Sequence, residues 1–223
     1  MKPEHLVEVS KYCYQQHPNL TRVSAYAHAK DILRKTESEL AQIKEAGLSM
    51  VYLGIETGDD DLLHQINKRT SADELAEAAQ KLHRAGIILS GTLILGLAGN
   101  DPELSKRHAV ATANLVNRMN PPKVQPWYIS ALTLMTPPGT PIEQAVQTGQ
   151  FIPLNSVGVL TELKIFMEHV SEDLHGCIFR SNHASNYLPL KGTLAMDKER
   201  LIATITHGLH HPSSLRNEYI RGL

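Results

Sequence analysis

Two segments of the sequence repeat one order of features: a helical stretch, a glycine, an apolar stretch and a glycine-containing loop. In the first segment Gly47 precedes the apolar stretch 50–55, and in the second Gly86 precedes the apolar stretch 88–95. A helix closed by glycine and followed by an apolar strand is the repeating unit of a parallel sheet with helical crossovers. We therefore predict an α/β fold, either a (β/α) barrel or a doubly wound sheet. The barrel is favoured because no early glycine-rich dinucleotide turn is present.

The spacing of apolar residues predicts the secondary structure of the rest of the chain. It predicts helices over 4–16, 36–46, 72–85 and 103–118, and strands over 22–27, 50–55, 88–95 and 125–132. The run 50–55 is almost entirely apolar, as expected of a strand buried on both faces. Residues 1–141 then form the barrel, 142–207 a mostly helical C-terminal extension packed on it, and 208–223 a loosely ordered tail.

Composition excludes several classes of function. The 223 residues carry a net charge of −1, which provides no field to attract nucleic acid or anionic lipid. Two cysteines cannot form a disulfide framework or supply the thiolates of a zinc or iron–sulfur site. The N-terminus lacks the apolar region of a signal peptide, and the apolar stretch 87–98 is too short to span a bilayer. We expect a reduced, cytoplasmic protein with no membrane or nucleic-acid partner.

Residues that follow the strands are the candidates for ligand contact, because parallel α/β folds bind ligands at the carboxyl ends of their strands. Glu56 is the clearest of them, since a carboxylate at the end of an apolar strand is costly to bury without a partner. It could accept hydrogen bonds from a ribose or an ammonium group. Alternatively it belongs, with Asp59–Asp61, to the acidic start of a helix. The loop Gly96–Gly99 could admit an adenine or a phosphate, or simply form a tight turn.

The polar stretch Arg180–Tyr187 has two interpretations. It could bind substrate, with Arg180 contacting an anion and His183 transferring a proton. It could instead be a hydrogen-bonded turn that holds the extension on the barrel. The substrate candidates are Tyr26, Arg180, Asn182, His183 and Asn186. We predict no metal site, because the histidine cluster 207–211 has no carboxylate beside it.

Residues 36–141 resemble the later half of the radical S-adenosylmethionine domain, in the form shared by methylthiotransferases, the Elongator catalytic subunit and coproporphyrinogen-oxidase-like proteins. The matching text is Gly54-Ile55-Glu56-Thr57-Gly58, Asn67-Lys68, Gly96-Leu97-Ala98-Gly99 and Pro138-Gly139-Thr140-Pro141. The resemblance implies a partial six-stranded (β/α) barrel with S-adenosylmethionine lying across the strand ends. It implies that the cofactor is contacted by Glu56, Thr57, Gly58, Thr92, Ile94, Gly96, Gly99 and Ser130.

The chain departs from this family at the iron–sulfur motif. Full-length relatives hold a 4Fe-4S cluster that generates a radical, which makes them oxidoreductases of the iron–sulfur type. The family's Cys-x-x-x-Cys-x-x-Cys motif is not found in this sequence, and Cys13 and Cys177 are too far apart to replace it. Aligned with the family, Met1 falls in the helix before the third strand, so the first two strands have no counterpart.

The sequence thus predicts an N-terminally shortened, radical S-adenosylmethionine-like protein of unknown substrate, inactive and without a cluster. The small-molecule cofactor is its expected partner, and self-association is expected through the open edge of the sheet. One alternative is a non-catalytic ligand-binding or interaction protein derived from the same barrel. Another is an unrelated lyase or aldolase barrel, although no lysine stands at a predicted strand end.

Overall fold

The computed structural model describes residues 1–222, which fold around one six-stranded sheet with the strand order β1-β2-β3-β4-β5-β6. The strands are β1 (Val23–Ala27), β2 (Leu48–Glu56), β3 (Ile88–Leu95), β4 (Trp127–Thr133), β5 (Cys177–Arg180) and β6 (Lys191–Thr193). The first five run parallel, and β6 is antiparallel to β5. Over the described residues the sheet does not close on itself. The predicted α/β fold, a partial parallel barrel, is confirmed.

Nine α-helices precede, connect or follow the strands within residues 1–222. They are α1 (Pro3–Gln16), α2 (Ala29–Leu33), α3 (Glu37–Glu45), α4 (Asp60–Gln65), α5 (Ala72–Arg84), α6 (Pro102–Arg118), α7 (Pro141–Gln147), α8 (Ser156–His169) and α9 (Leu194–His210). The predicted capping box of α3 is present, since Thr36 N–H donates to Glu39 (2.6 Å) and Glu39 N–H donates to the Thr36 hydroxyl (3.2 Å). In the described part of the chain, no helix is both long and apolar enough to cross a bilayer.

The helices pack against one face of the sheet and leave the other face concave and partly open. On β2, Val51, Leu53 and Ile55 are buried in the core. Side chains alternate along a strand, so Tyr52 and Glu56 lie on the opposite face, where both are partly exposed. The prediction that β2 is buried on both faces is therefore wrong. The concave face is the surface on which a ligand can bind.

The sheet continues into the predicted C-terminal extension. Strand β5 was not expected from the sequence, and it pairs with β4 through Trp127↔Cys177 and Ser130↔Arg180. The rest of the extension is mostly helical, as predicted. At the other edge β1 pairs with β2 alone among the described residues. Both self-association through that edge and a domain division at residue 141 stay predictions.

The tail is more ordered than expected as far as residue 222. Arg216 Nη1 donates to three carbonyl oxygens of the turn 183–186, at 2.9 to 3.2 Å. The Arg221 side chain is only 3% exposed, and its guanidinium lies 4.0 Å from the centre of the Tyr187 ring. The expectation of a loose tail is wrong because two arginines satisfy carbonyl groups of this turn.

His83 gives the fold a defined pH dependence. The side chain lies at the end of α5, edge-on to Trp127, and Nδ1 contacts the Gln125 amide at 2.8 Å. Burial lowers the pKa of His83 to about 4. In the unfolded chain a histidine has a pKa near 6.5. As the pH falls below 6.5 the unfolded state therefore takes up a proton that the folded state does not, and the folded state loses stability until about pH 4.

We expect this histidine to lower the free energy of unfolding by about 2 kcal/mol between pH 7 and pH 5. Urea unfolding of the wild-type chain and of His83→Gln at both pH values measures the effect. The difference between the two pH values should shrink in the variant by about that amount. An equal difference in the two proteins would contradict the assignment.

Candidate functional site

Two adjoining clefts lie on the concave face of the sheet. The upper cleft, at the carboxyl ends of the strands, has a volume of about 420 Å³ and is lined by Glu56, Ile66, Lys68, Ile94, Leu97, Leu132, Thr133, Leu134, Met135, His183 and Ser185. The lower cleft, nearer the middle of the sheet, has a volume of about 300 Å³ and is lined by Arg22, Met50, Tyr52, Ser90, Tyr128, Ser130, Arg180 and Asn182. The upper cleft is mainly apolar with a few charged groups, whereas the lower cleft is mainly polar.

Glu56 enters the upper cleft from a strained backbone. Its φ of 62° lies in the left-handed region, at a point where the pairing of β2 with β3 shifts between Gly54 and Glu56. A non-glycine residue in this conformation costs about 1–2 kcal/mol, and such strain concentrates at functional sites. The Glu56 carboxylate accepts a hydrogen bond from Lys68 Nζ at 2.7 Å. A Cβ atom on Gly54 would lie 2.3 Å from Glu56 Oε1, so glycine at this position leaves room for the ion pair.

A hydrogen-bonded histidine positions Lys68. His28 Nδ1 accepts from the Lys30 N–H at 3.2 Å, so Nε2 carries the proton and donates to the Lys68 carbonyl at 2.9 Å. Among the described residues, Lys68 alone bonds to the Glu56 carboxylate. One carboxylate oxygen and two ammonium hydrogens are thus left for a ligand, which suits ribose hydroxyls or a zwitterionic amino acid. Lys68 belongs to the sequence pattern shared with the family, but it was not predicted to be a site residue.

The stretch Arg180–Tyr187 is divided among three places. His183 lines the upper cleft, while Arg180 and Asn182 line the lower one. Asn186 is buried instead, where its amide donates to the Ala131 carbonyl at 2.8 Å and its oxygen accepts from the Thr133 hydroxyl at 3.0 Å. The substrate contact expected of Asn186 is corrected, because both ends of its amide hold the turn on β4. The interpretation as a hydrogen-bonded turn holds for Asn186, whereas substrate binding by Arg180, Asn182 and His183 stays a prediction.

Two expected cofactor contacts lie away from both clefts. Thr57 is buried, and its hydroxyl accepts from the Asp59 N–H at 2.9 Å. Gly58 N–H donates to the Thr112 hydroxyl at 3.0 Å, and a Cβ atom there would lie 2.3 Å from the Ala111 carbonyl oxygen. Gly58 thus faces α6 and Thr57 is bonded within its own loop, so neither lines a cleft, which corrects the expectation drawn from the resemblance. Asp59 caps α4, as the acidic helix-start interpretation predicts for it.

The glycine loop after β3 is a supporting turn. Gly96 N–H donates to the Glu162 carboxylate at 2.6 Å, and Gly99 packs against Phe151. Neither glycine lines a cleft, whereas Leu97 between them lines the upper one. Glu162 is buried on α8 and also accepts from the Ser105 hydroxyl at 2.5 Å. Glu162 was not predicted as a functional residue, although its carboxylate stands in the apolar run of this helix.

The remaining predicted residues lie on the concave face. Ile94 is in the wall of the upper cleft, and Ser130 is in the lower cleft. Thr92 pairs in register with Ser130 on the neighbouring strand. Tyr26 is 89% exposed and stacks on Tyr52, with 5.1 Å between ring centres.

Further residues of the lower cleft were also missed, namely Arg22, Tyr52, Ser90 and Tyr128. Tyr52, Ser90 and Tyr128 each lie on a strand whose alternate residues face the helices. The period of two along a strand is therefore the signal that could have placed them on the concave face.

The described residues do not fit an iron–sulfur cluster. They contain no group of three or more His, Cys, Asp or Glu side chains that could hold a metal ion. Cys13 lies on α1, and Cys177 is buried in β5, where burial raises the pKa of its thiol well above the usual value. No reaction step through a cluster is assigned to these residues.

Comparison with known proteins relates this geometry to a family. Residues 3–106 match the family described as the Radical SAM superfamily. A search of curated proteins gives no match.

Several solved structures share the fold. Archaeal Elp3 of Methanocaldococcus infernus with residues 1–46 deleted is 16% identical, with a TM-score of 0.56, over 84% of this chain and 42% of that one. Coproporphyrinogen III oxidase (HemN) of Escherichia coli is 14% identical, with a TM-score of 0.54, over 75% of this chain and 37% of that one. Methylornithine synthase (PylB) is 15% identical, with a TM-score of 0.52, over 95% of this chain and 63% of that one. The chain thus spans less than two thirds of each structure.

Proposed function

We propose that the chain, whose residues 3–106 match the Radical SAM superfamily, is a radical S-adenosylmethionine-type protein that binds S-adenosylmethionine in the upper cleft. One observation carries this proposal: Glu56 stands in a left-handed conformation at the end of β2, ion-paired with Lys68 on the wall of that cleft. Ligands of parallel α/β folds bind at this end of the sheet. A strained carboxylate there is explained by a ligand that it contacts.

The lining of the upper cleft supports this choice of ligand. Ile94 and Leu132 are paired in register on neighbouring strands, and they form an apolar surface on which an adenine ring can lie. Glu56 and Lys68 provide an acceptor and donors for the ribose or for the amino-acid end. The volume of about 420 Å³ is within the range of small-molecule sites, roughly 300–1,000 Å³.

In this proposal the chain binds and orients ligands but does not itself generate a radical. When bound, S-adenosylmethionine supplies an adenosyl group on a sulfonium. Glu56 and Lys68 hold its polar end, while the two strand residues beneath it exclude water from the base. The described residues do not supply the ligands of a 4Fe-4S cluster, so the radical-forming activity of full-length family members is not assigned to them.

Calorimetric titration with S-adenosylhomocysteine, which lacks the reactive sulfonium, tests the proposal. We expect saturable binding with one site per chain. Ile94→Arg fills the upper cleft and should abolish the binding heat. The matched control is Val124→Arg at a position 75% exposed, and it should bind like the wild type. Absence of saturable heat with the folded wild-type chain, or equal binding by Ile94→Arg, would reject the proposal.

A further inference from the structure

We propose that the lower cleft binds an anionic group of the substrate, a carboxylate or a phosphate, between Arg22 and Arg180. The inference rests on the proposed function, because it places the substrate beside the adenosyl ligand on the same face of the sheet. The two clefts meet along β4, where Ser130 belongs to the lower cleft and Leu132 to the upper one.

Charge is the first support for this site. Two guanidinium groups line the lower cleft and no carboxylate does. Within residues 1–222, neither Arg22 nor Arg180 takes part in an ion pair, whereas five other arginines do. The whole chain carries a net charge of −1, so this is a local excess of positive charge in a cavity and not part of a generally basic surface.

The setting of Arg180 is the second support. Its guanidinium lies 5.4 Å from the centre of the Tyr128 ring, which holds the planar group against an aromatic face. Its Nε atom is buried and has no hydrogen-bond partner in the described structure. A buried N–H without an acceptor is unfavourable, so no bond within the chain satisfies this end of the Arg180 side chain. Arginine presents its N–H groups in a fork that matches the two oxygens of a carboxylate or a phosphate.

The uncharged residues that line the lower cleft can also donate hydrogen bonds to an anion. Hydroxyl groups of Tyr52, Ser90 and Ser130 and the amide of Asn182 can all donate to an oxyanion. This lining suits an anion better than a cation, because an ammonium or a metal ion would require carboxylates or several carbonyl groups.

The register of the sheet gives the distance between Arg180 and the strand that carries Glu56. Gly54, Thr92, Ser130 and Arg180 are paired in one row across β2 to β5. Neighbouring strands lie about 4.8 Å apart, so the row spans roughly 14 Å from the strand of Glu56 to Arg180. A small substrate whose anionic end contacts Arg180 would extend along this row toward the strand that carries Glu56.

Nuclear magnetic resonance of the arginine Nε–H groups tests the inference, with inorganic phosphate and acetate as probes at constant ionic strength. We expect the Arg180 signal to shift and to saturate with at least one of the two anions. Arg180→Gln and Arg22→Gln, each checked for folding by circular dichroism, should weaken this anion binding at least fivefold. Arg84→Gln removes an exposed arginine paired with Glu37 outside the cleft, and it should leave binding unchanged.

The two anions distinguish the substrate classes. Saturation by phosphate alone supports a phosphorylated substrate, and saturation by acetate alone supports a carboxylated one. A shift that never saturates, or equal anion binding by wild type and both variants, overturns the inference. S-adenosylhomocysteine binding is measured separately on the same samples. If S-adenosylhomocysteine binds but the anions do not, only the lower site is refuted. If the anions bind but S-adenosylhomocysteine does not, the proposed function is refuted, and so is the pairing of the two sites.

Discussion

Glu56→Gln is expected to weaken S-adenosylhomocysteine binding by about 10- to 100-fold. A hydrogen bond to a charged group contributes about 1.5–3 kcal/mol, which corresponds to a change of that size in the dissociation constant. The substitution keeps the shape of the side chain but removes the charge that pairs with Lys68 and accepts from the ligand. Calorimetry measures the loss, with Glu77→Gln as the matched control, because Glu77 is exposed on α5.

A second variant separates loss of contact from loss of fold. Glu56→Gly relieves the left-handed backbone strain at φ 62° but adds backbone freedom to the unfolded chain. We expect its free energy of unfolding to stay within about 1 kcal/mol of wild type while ligand affinity falls. If either substitution at Glu56 left the affinity unchanged, this residue would have no part in binding.

Glu162→Ala is expected to lower the free energy of unfolding by about 3–5 kcal/mol, the usual cost of removing one partner of a buried charged network. The side chain is fully buried and accepts from the Gly96 N–H and the Ser105 hydroxyl. His108 Nδ1 lies 3.2 Å from the same carboxylate. Removing Glu162 leaves the Gly96 N–H and the Ser105 hydroxyl without their acceptor and releases the loop that carries Leu97 into the upper cleft.

Urea denaturation measures this loss, and Glu168→Ala is the control on the same helix. Glu168 is partly exposed and pairs with Lys164 in an i,i+4 arrangement, which contributes about 0.5 kcal/mol or less. The control should therefore unfold close to wild type. Unfolding of Glu162→Ala within 1 kcal/mol of wild type would show that the buried carboxylate does not stabilise the loop.

The parts of the fold that the sequence predicts correctly are determined by neighbouring residues. Thr36 and Glu39 cap α3 within one turn, and Gly47 and Gly86 end their helices with φ values of +105° and +69°. These signals lie within three or four residues of the structure they specify. The helix–glycine–strand repeat was therefore sufficient to predict a parallel sheet.

Strand β5 and much of the candidate site depend on pairings that are distant along the chain. Four residues, Cys177–Arg180, are too few to show a period, and their pairing with β4 joins positions about 50 residues apart. Glu56 was found because it directly follows an apolar strand. Its partner Lys68 comes from the loop after α4, and Arg22 from the segment before β1, so their convergence depends on the whole sheet.

The errors at Thr57 and Gly58 have a local physical cause. The shift in pairing after Gly54 and the left-handed conformation of Glu56 turn the chain toward α6. Gly58 therefore contacts α6 and Thr57 is buried in the loop, although both are close to Glu56 in sequence. A strand-end rule identifies the edge of the sheet where ligands bind, but it does not identify which residues of the loop reach the ligand.

A crystal structure of the chain with S-adenosylhomocysteine is the most direct test of the central claim. We expect the adenine ring over Ile94 and Leu132, with the Glu56 carboxylate within hydrogen-bond distance of the ribose or of the amino group. A ligand bound elsewhere, or an adenine in the upper cleft that leaves Glu56 without a ligand contact, would contradict it.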